Sequence, residues 1–306
     1  MKIVSLLPSA TEIVCALGLE DALVGVSHSC DFPAGIMDRP RVTRTSVPTD
    51  ASSAEIDAAV RATLARGESL YQLELECLDA LAPDLLVTQS LCEVCAVGEG
   101  QVQAALHRLP GPPTVLTLSP ETLDQVFDAI ETVGRATGRA ARATAVVAEL
   151  RRRIAHVTWA IRNVTVRPRV AFLEWLDPPF SGGHWNPELV ALAGGVDGLG
   201  TAGKPSRRLS WAEVVAWQPE VLCVACCGYD ADRTRAELAA LLAAPESAAL
   251  AALPCFTAGR VHVFDGVGHF SRPGPRLVES LELLARALHP ERFAASASNP
   301  ELPTSA

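Results

Sequence analysis

RAARATAVVAELRRRIAHVTWAIRNV, residues 139–164, decides the fold. The run continues without a break, and its stretch from Ala141 to Asn163 predicts a helix about 34 Å long at roughly 1.5 Å per residue. That length spans a small domain. The basic segment ELRRRIAH (149–156) within it reads as one solvated face of this helix. Upstream, PETLDQVFDAIETVGRATG (120–138) predicts another helix, with Ser119 as its cap and Gly134 and Gly138 weakening its end. From Pro120 to about Val164 there is no strand signal.

On both sides of this block, short apolar runs alternate with helical patterns. KIVSLL, ALVGVS, DLLVTQ and PTVLTL predict strands before it; RVAFLEWL, EVLCVAC and RVHVFDG predict strands after it. Gly18, Gly67 and Pro83 fall where the first-half helices should stop. Ser9-x-x-Glu12 and Ser210-x-x-Glu213 have the capping-box spacing, and Asn186 followed by Pro187 reads as a cap with proline at the first helical position. The fold class is therefore α/β: two Rossmann-like lobes with parallel-rich sheets, joined by one long backbone helix, with a ligand cleft between the lobes. The expected division is a first lobe over 1–119, linking helices over 120–165, a second lobe over 166–293 and a low-complexity tail, expected to be disordered, over 294–306.

Composition narrows the function. The chain has 306 residues, 49% hydrophobic, with a net charge of −9, so it can bury a sizeable core and lacks the basic stripe of a nucleic-acid binder. No apolar stretch reaches about 18 residues, so no membrane insertion is expected. The N-terminal apolar run is broken by Pro8 and Glu12, which reads as strand, turn and helix and sets the expected location as cytoplasmic; a truncated N-terminus would instead fit a periplasmic or otherwise extracytoplasmic protein. Nine cysteines, an odd number, are not a disulfide framework, and Cys15, Cys77 and Cys223 sit in apolar patterns as small core residues.

Candidate ligand residues lie where polar loops follow predicted strands, the carboxyl end of a parallel sheet. SHSCDFP places His28, Cys30, Asp31 and Phe32 there. Gln89 ends DLLVTQ, and LCEVCAVG (91–98) follows it with Cys92 and Cys95. Their spacing permits a metal site, a redox pair or a pocket wall. Zinc needs two further soft ligands, and the nearest candidates, in CVACC (223–227), belong to the other lobe; a redox pair belongs at a helix start after the first strand. Pocket wall is the expected role. DPPFSGGHWNP (177–187) offers Phe180, His184 and Trp185, CCGYD offers Tyr229, and GHFSRP offers His269, Phe270 and Arg272, the last suited to a ligand carboxylate or phosphate. No nucleophile elbow, Walker loop or dinucleotide fingerprint is present, and no catalytic set emerges.

SLLPSATEIVCALGLEDALVGVSHSCDFP, LEWLDPPFSGGHWNPELVALAGG and GHFSRPGPRLVESLELLA resemble the vitamin B12-binding members of the helical-backbone substrate-binding proteins, the receptors of ABC importers. The resemblance covers about residues 1–290. It implies a receptor or holder, not an enzyme, that grips a corrinoid such as cobalamin or cobinamide between lobes that move little. It also implies a monomer, no catalytic cofactor, and an ABC permease as partner, with Glu76 and Glu213 as its docking carboxylates. In such a cleft a neutral His184 suits the axial position of cobalt, and Trp185 is expected at the cleft mouth. Haem or a ferric siderophore is the alternative ligand of the same fold. A metal- or thiol-dependent enzyme using Cys92, Cys95 and a cleft histidine is the alternative of another class.

Overall fold

The computed structural model describes residues 1–89, 102, 106–107, 111 and 113–293. Two parallel-rich sheets form the lobes. In the first, β1 (Ile3–Ser5), β2 (Leu23–Val26), β5 (Leu85–Gln89) and β6 (Thr114–Leu118) lie parallel in the order β2-β1-β5-β6. In the second, β7 (Arg169–Leu176) pairs with the short β8 (Pro179–Ser181), β9 (Val196–Asp197) and β10 (Val221–Val224), and β11 (Val261–Val263) borders β10; β8 alone is antiparallel. Every residue of β5 and β10 is buried. That explains why both strands read as apolar runs without alternation, since helices cover both faces of a parallel sheet. A small antiparallel pair, β3 (Thr43–Thr45) with β4 (Tyr71–Leu73), lies outside both sheets.

The helices are α1 (Pro8–Ala16), α2 (Ser53–Ala65), α3 (Leu75–Leu81), α4 (Leu123–Ala136), α5 (Ala140–Ala160), α6 (Asn186–Leu192), α7 (Trp211–Trp217), α8 (Ala231–Ala243) and α9 (Leu277–Leu288), with shorter turns between them. The backbone helix α5 has 21 residues, close to the expected span and about 32 Å long. It buries Ala143, Val147, Leu150 and Val157 along one stripe, against α4 on one side and α9 on the other. Its basic segment does face outward at Arg151 and Arg152, while Arg153 forms a two-pronged pair with Glu282 of α9 at 2.9 Å.

One apolar core runs through both lobes. It is continuous from Ile3 and Val14 through Ile130 and Val147 to Phe172, Leu189 and Leu284. A second cluster in the second lobe contains Leu173, Leu222 and Val224, and it also takes in Ile56 of α2. A helix from the first third of the chain is thus packed into the far lobe.

Three helix starts differ from expectation. Ser9 and Glu12 do not form a capping box: α1 begins at Pro8 after Leu7, no side chain caps it, and Glu12 is buried with two arginines. The helix expected to start at Ser119 begins at Leu123, capped by Thr122, whose hydroxyl accepts from the Gln125 N–H. Asn186 is the first helical residue rather than the cap. The Ser210–Glu213 box is present with both hydrogen bonds.

Candidate ligand-binding site

The loops after β2, β7 and β11 supply most of the candidate residues. After β2, the His28 backbone N–H donates to Thr43 Oγ1 at 2.9 Å, and its ring Nδ1 shares a 2.7 Å hydrogen bond with the same hydroxyl. Nε2 lies 3.1 Å from Ser29 Oγ, and the ring packs 5.5 Å from Tyr71. The β3–β4 pair, which supplies Thr43 and Tyr71, is therefore the brace of this histidine. Burial, helped by the Arg41 charge, lowers the His28 pKa and favours the neutral ring.

The neighbours of His28 divide. Cys30 is buried, its sulfur 3.1 Å from the hydroxyls of Thr11 and Ser27, and burial raises its pKa. It packs inward as a core residue, not at the cleft surface. Asp31 and Phe32 are exposed, yet both face the other lobe: Asp31 pairs with Arg272, and the Arg276 guanidinium lies 4.2 Å above the Phe32 ring. Gln89 closes β5 as a buried residue whose Oε1 has no hydrogen-bond partner among the described residues. Cys92 and Cys95 lie outside the described residues.

In the second lobe, Phe180 is half-buried on β8. His184 follows with φ of +51°, a left-handed conformation that non-glycine residues seldom adopt. Its backbone N–H donates to the Lys204 carbonyl at 2.6 Å and its carbonyl accepts from the Gly203 N–H at 2.8 Å. Gly183 permits this approach, because a Cβ there would stand 2.2 Å from the Ser206 nitrogen. The His184 ring is half-buried and stacks 5.5 Å from Trp185, and Nδ1 has no hydrogen-bond partner among the described residues. Burial lowers its pKa against the opposing pull of Glu121, so a neutral imidazole is favoured here too.

Four expected ligand contacts turn inward or are already paired. Trp185 is 4% exposed; its indole N–H donates to the Phe270 carbonyl at 2.6 Å and its ring joins the continuous core. It backs His184 instead of facing the cleft mouth, because the first turn of α6 lies on the sheet. Phe270 is 0% exposed, wedged 5.1 Å from Phe172 and 5.0 Å from Phe264. Tyr229 is 2% exposed, between Trp175 and the Arg233 guanidinium, 3.6 Å above its ring. Arg272 is held by Glu12 at 3.3 Å, by both oxygens of Asp31 and by the Ser29 carbonyl, so its guanidinium is already paired within the protein. His269 remains half-buried, with Nε2 3.5 Å from Glu279 Oε2 and Nδ1 without a hydrogen-bond partner among the described residues.

Two groups of contacts tie the lobes together. At one, Arg272 and Arg276 from the loop before α9 converge on the buried Glu12 of α1, with Arg276 reaching both of its oxygens at 2.6 and 3.1 Å. At the other, the start of α2 sits on the second lobe. Ser53 donates its hydroxyl to Glu237 at 2.7 Å, Trp175 donates its indole N–H to the Ser53 carbonyl at 3.2 Å, and Arg233 donates to the carbonyls of Thr49 and Ala51. Buried, multiply bonded ion pairs favour one fixed arrangement. Sequence reasoning gave Glu12 a capping role and missed this one; the signal available was a lone carboxylate inside an otherwise apolar helix.

The docking candidates are on the surface. Glu76 is exposed in the first turn of α3. Glu213 is exposed in the first turn of α7, where the Ser210 cap and Arg207 at 2.8 Å pull its pKa down to about 2. Among the described residues no helix is long and apolar enough to cross a membrane.

Two α/β lobes share one backbone helix, and polar loops follow the strands of both sheets. Residues 3–254 match the periplasmic binding protein family, and the chain belongs to that family. It is 28% identical over 295 residues to a "Cobalamin-binding protein" of Halobacterium salinarum, covering 94% of this chain and 69% of that one. It is 25% identical over 222 residues to a "Vitamin B12-binding protein" of Vibrio cholerae, covering 72% of this chain and 69% of that one. Among solved structures, the periplasmic haem-binding protein of Roseiflexus superposes with a TM-score of 0.71 at 24% identity, over 95% of this chain and 98% of that one. The periplasmic vitamin B12-binding protein of Vibrio cholerae superposes with a TM-score of 0.67 at 22% identity, over 94% and 96%.

Proposed function

We propose that the protein binds a corrinoid, cobalamin or cobinamide, one per chain, between the loops at the carboxyl ends of its two sheets. The observation that carries this reading is His184: a half-buried imidazole, kept neutral by its surroundings, on a loop whose strained backbone is pinned from both sides. A neutral imidazole is a good ligand for cobalt. The half-buried Phe180, three residues past Asp177 on β8, adds apolar surface on the same segment of chain as His184. The names of the relatives from Halobacterium salinarum and Vibrio cholerae support the same ligand class.

Charge separates the corrinoid from the other ligands of this fold. Haem and ferric siderophores present anionic groups that call for free cations. Arg272 and Arg276 are held by Glu12 and Asp31, Arg233 by backbone carbonyls, and Arg41 by the carbonyls of Ser27 and Cys30. With these arginines occupied, a ligand with amide side chains is favoured; Lys204 and Arg208, exposed in the segment beside His184, are the cations an anionic ligand would have to use. In the importer-receptor role, Glu76 and Glu213 are the carboxylates offered to the permease, one per lobe; Glu213 keeps its charge well below neutral pH. In the holder role they are solvated helix starts.

Calorimetric titration of the purified protein with cobalamin, cobinamide and haemin tests the reading. Saturation near one corrinoid per chain is expected, with haemin weaker. Saturable haemin binding alongside flat corrinoid titrations would refute it.

A further inference from the structure

Glu174 breaks the apolar run of β7, and its carboxylate has an unusual set of neighbours. Oε1 accepts from the Gly183 backbone N–H at 2.8 Å and from the Asn186 side-chain amide at 2.6 Å. The Ser206 side chain lies near the same carboxylate. Gly183 and Asn186 flank His184. Ser206 belongs to the segment whose Gly203 N–H and Lys204 carbonyl bond the His184 backbone. One carboxylate thus ties the sheet to both sides of the histidine, beside the segment lying against it.

Nothing in this arrangement is a salt bridge. The donors are a side-chain amide and a backbone N–H, and the nearby charge is the negative Asp197. Burial away from water, with the Asp197 charge adding to it, disfavours the ionised Glu174 carboxyl, so its value here is as a hydrogen-bond acceptor. β7 pairs with β8, β9 and β10, which makes it the firmest element in the lobe from which to hold a loop. Binding groups on loops keep their geometry when neighbours hydrogen-bonded to a rigid element fix them.

We infer that Glu174 is a positioning residue for His184: it holds the 183–186 loop in the left-handed turn that presents the imidazole to the metal of the bound ligand. This rests on the corrinoid reading above. The test compares four variants, each titrated with aquocobalamin and followed in the visible, where replacement of the cobalt-bound water by imidazole shifts the spectrum. Glu174→Met keeps the length and removes the acceptor; it should lose the shift and bind about tenfold or more weakly. Glu174→Gln keeps an oxygen able to accept both N–H groups and should retain most of the shift. Asn186→Ala removes one of the two flanking ties and should give a smaller loss in the same direction. His184→Ala removes the ligating ring and should abolish the shift.

Hydrogen exchange of the ligand-free protein supplies a second readout: segment 182–186 should exchange faster in Glu174→Met than in Glu174→Gln. A shift lost in His184→Ala but intact in Glu174→Met would overturn the positioning role alone. Equal loss in Glu174→Met and Glu174→Gln would also overturn it, because the acceptor would not be what matters. A shift that survives His184→Ala would overturn the ligation reading, and the positioning role with it. If Glu174→Met fails to fold, Asn186→Ala decides: normal exchange and a normal shift there would overturn the inference.

Discussion

His28 and His184 lie one in each lobe, His28 on the loop after β2 and His184 after β8, which turns back antiparallel along β7, and burial disfavours the charged form of both. Their surroundings differ. Both ring nitrogens of His28 lie against hydroxyls, of Thr43 and Ser29, and the ring packs near Tyr71. His184 Nδ1 meets no hydrogen-bond partner among the described residues, and the strain is in the backbone, at φ of +51°. A histidine saturated by its own protein braces a loop. His184 Nδ1 is buried as well as unpartnered among the described residues, so a ligand would have to meet the ring at its other nitrogen, on a backbone already fixed by Gly203 and Lys204.

Four perturbations break or sharpen this contrast. The largest effect is expected behind His184, at Trp185. Trp185→Ala removes a core ring and its hydrogen bond to Phe270, and should cost about 3–5 kcal/mol of stability in denaturant unfolding. Unchanged stability would return Trp185 to the cleft surface. Next, His184→Ala should weaken corrinoid binding by roughly 2 kcal/mol, about thirtyfold, with little change in melting temperature. His28→Ala should do the reverse on a smaller scale: about 1 kcal/mol of stability lost with its hydrogen bonds, and only a minor change in affinity. Equal affinity losses in the two variants would erase the distinction drawn between them.

The smallest effect is on pH. Burial sets the folded pKa values of His28 and His184 below their unfolded value of about 6.5. The unfolded chain then binds protons more readily than the folded one as pH falls below about 6.5. The stability these neutral rings contribute is complete above that value and declines below it, through the lowered folded values. His262 follows the same rule. Melting temperatures between pH 5 and 8 should therefore fall on the acid side, and less steeply in the His28→Ala, His184→Ala double variant.

Much of the fold is legible from the amino-acid order, and particular residues show why. The unbroken run around α5 contrasts with apolar runs such as RVAFLEWL, which became β7 with the expected ends. The three-residue strands β3 and β4 are too short to show a period, so the brace of His28 has no local signature. Ser9-x-x-Glu12 has the spacing of a capping box, but the same spacing occurs inside a helix, and only the distant Arg272 and Arg276 reveal what Glu12 does. Trp185, Phe270 and Tyr229 lie on the expected loops, yet sequence adjacency does not say which side of a loop faces the core. The separation of ligand-facing from core-facing aromatics depends on packing between lobes, which no short window contains.

His184, and not His28, is proposed to take the metal of a bound corrinoid. The most direct test is a visible titration of the wild-type protein with aquocobalamin near neutral pH, repeated on His184→Ala. The account predicts that the wild-type spectrum shifts toward that of imidazole-ligated cobalt, saturating near one equivalent, and that the variant shows no such shift. Saturable binding with an unshifted aquo spectrum, or the same shift in both proteins, would contradict it.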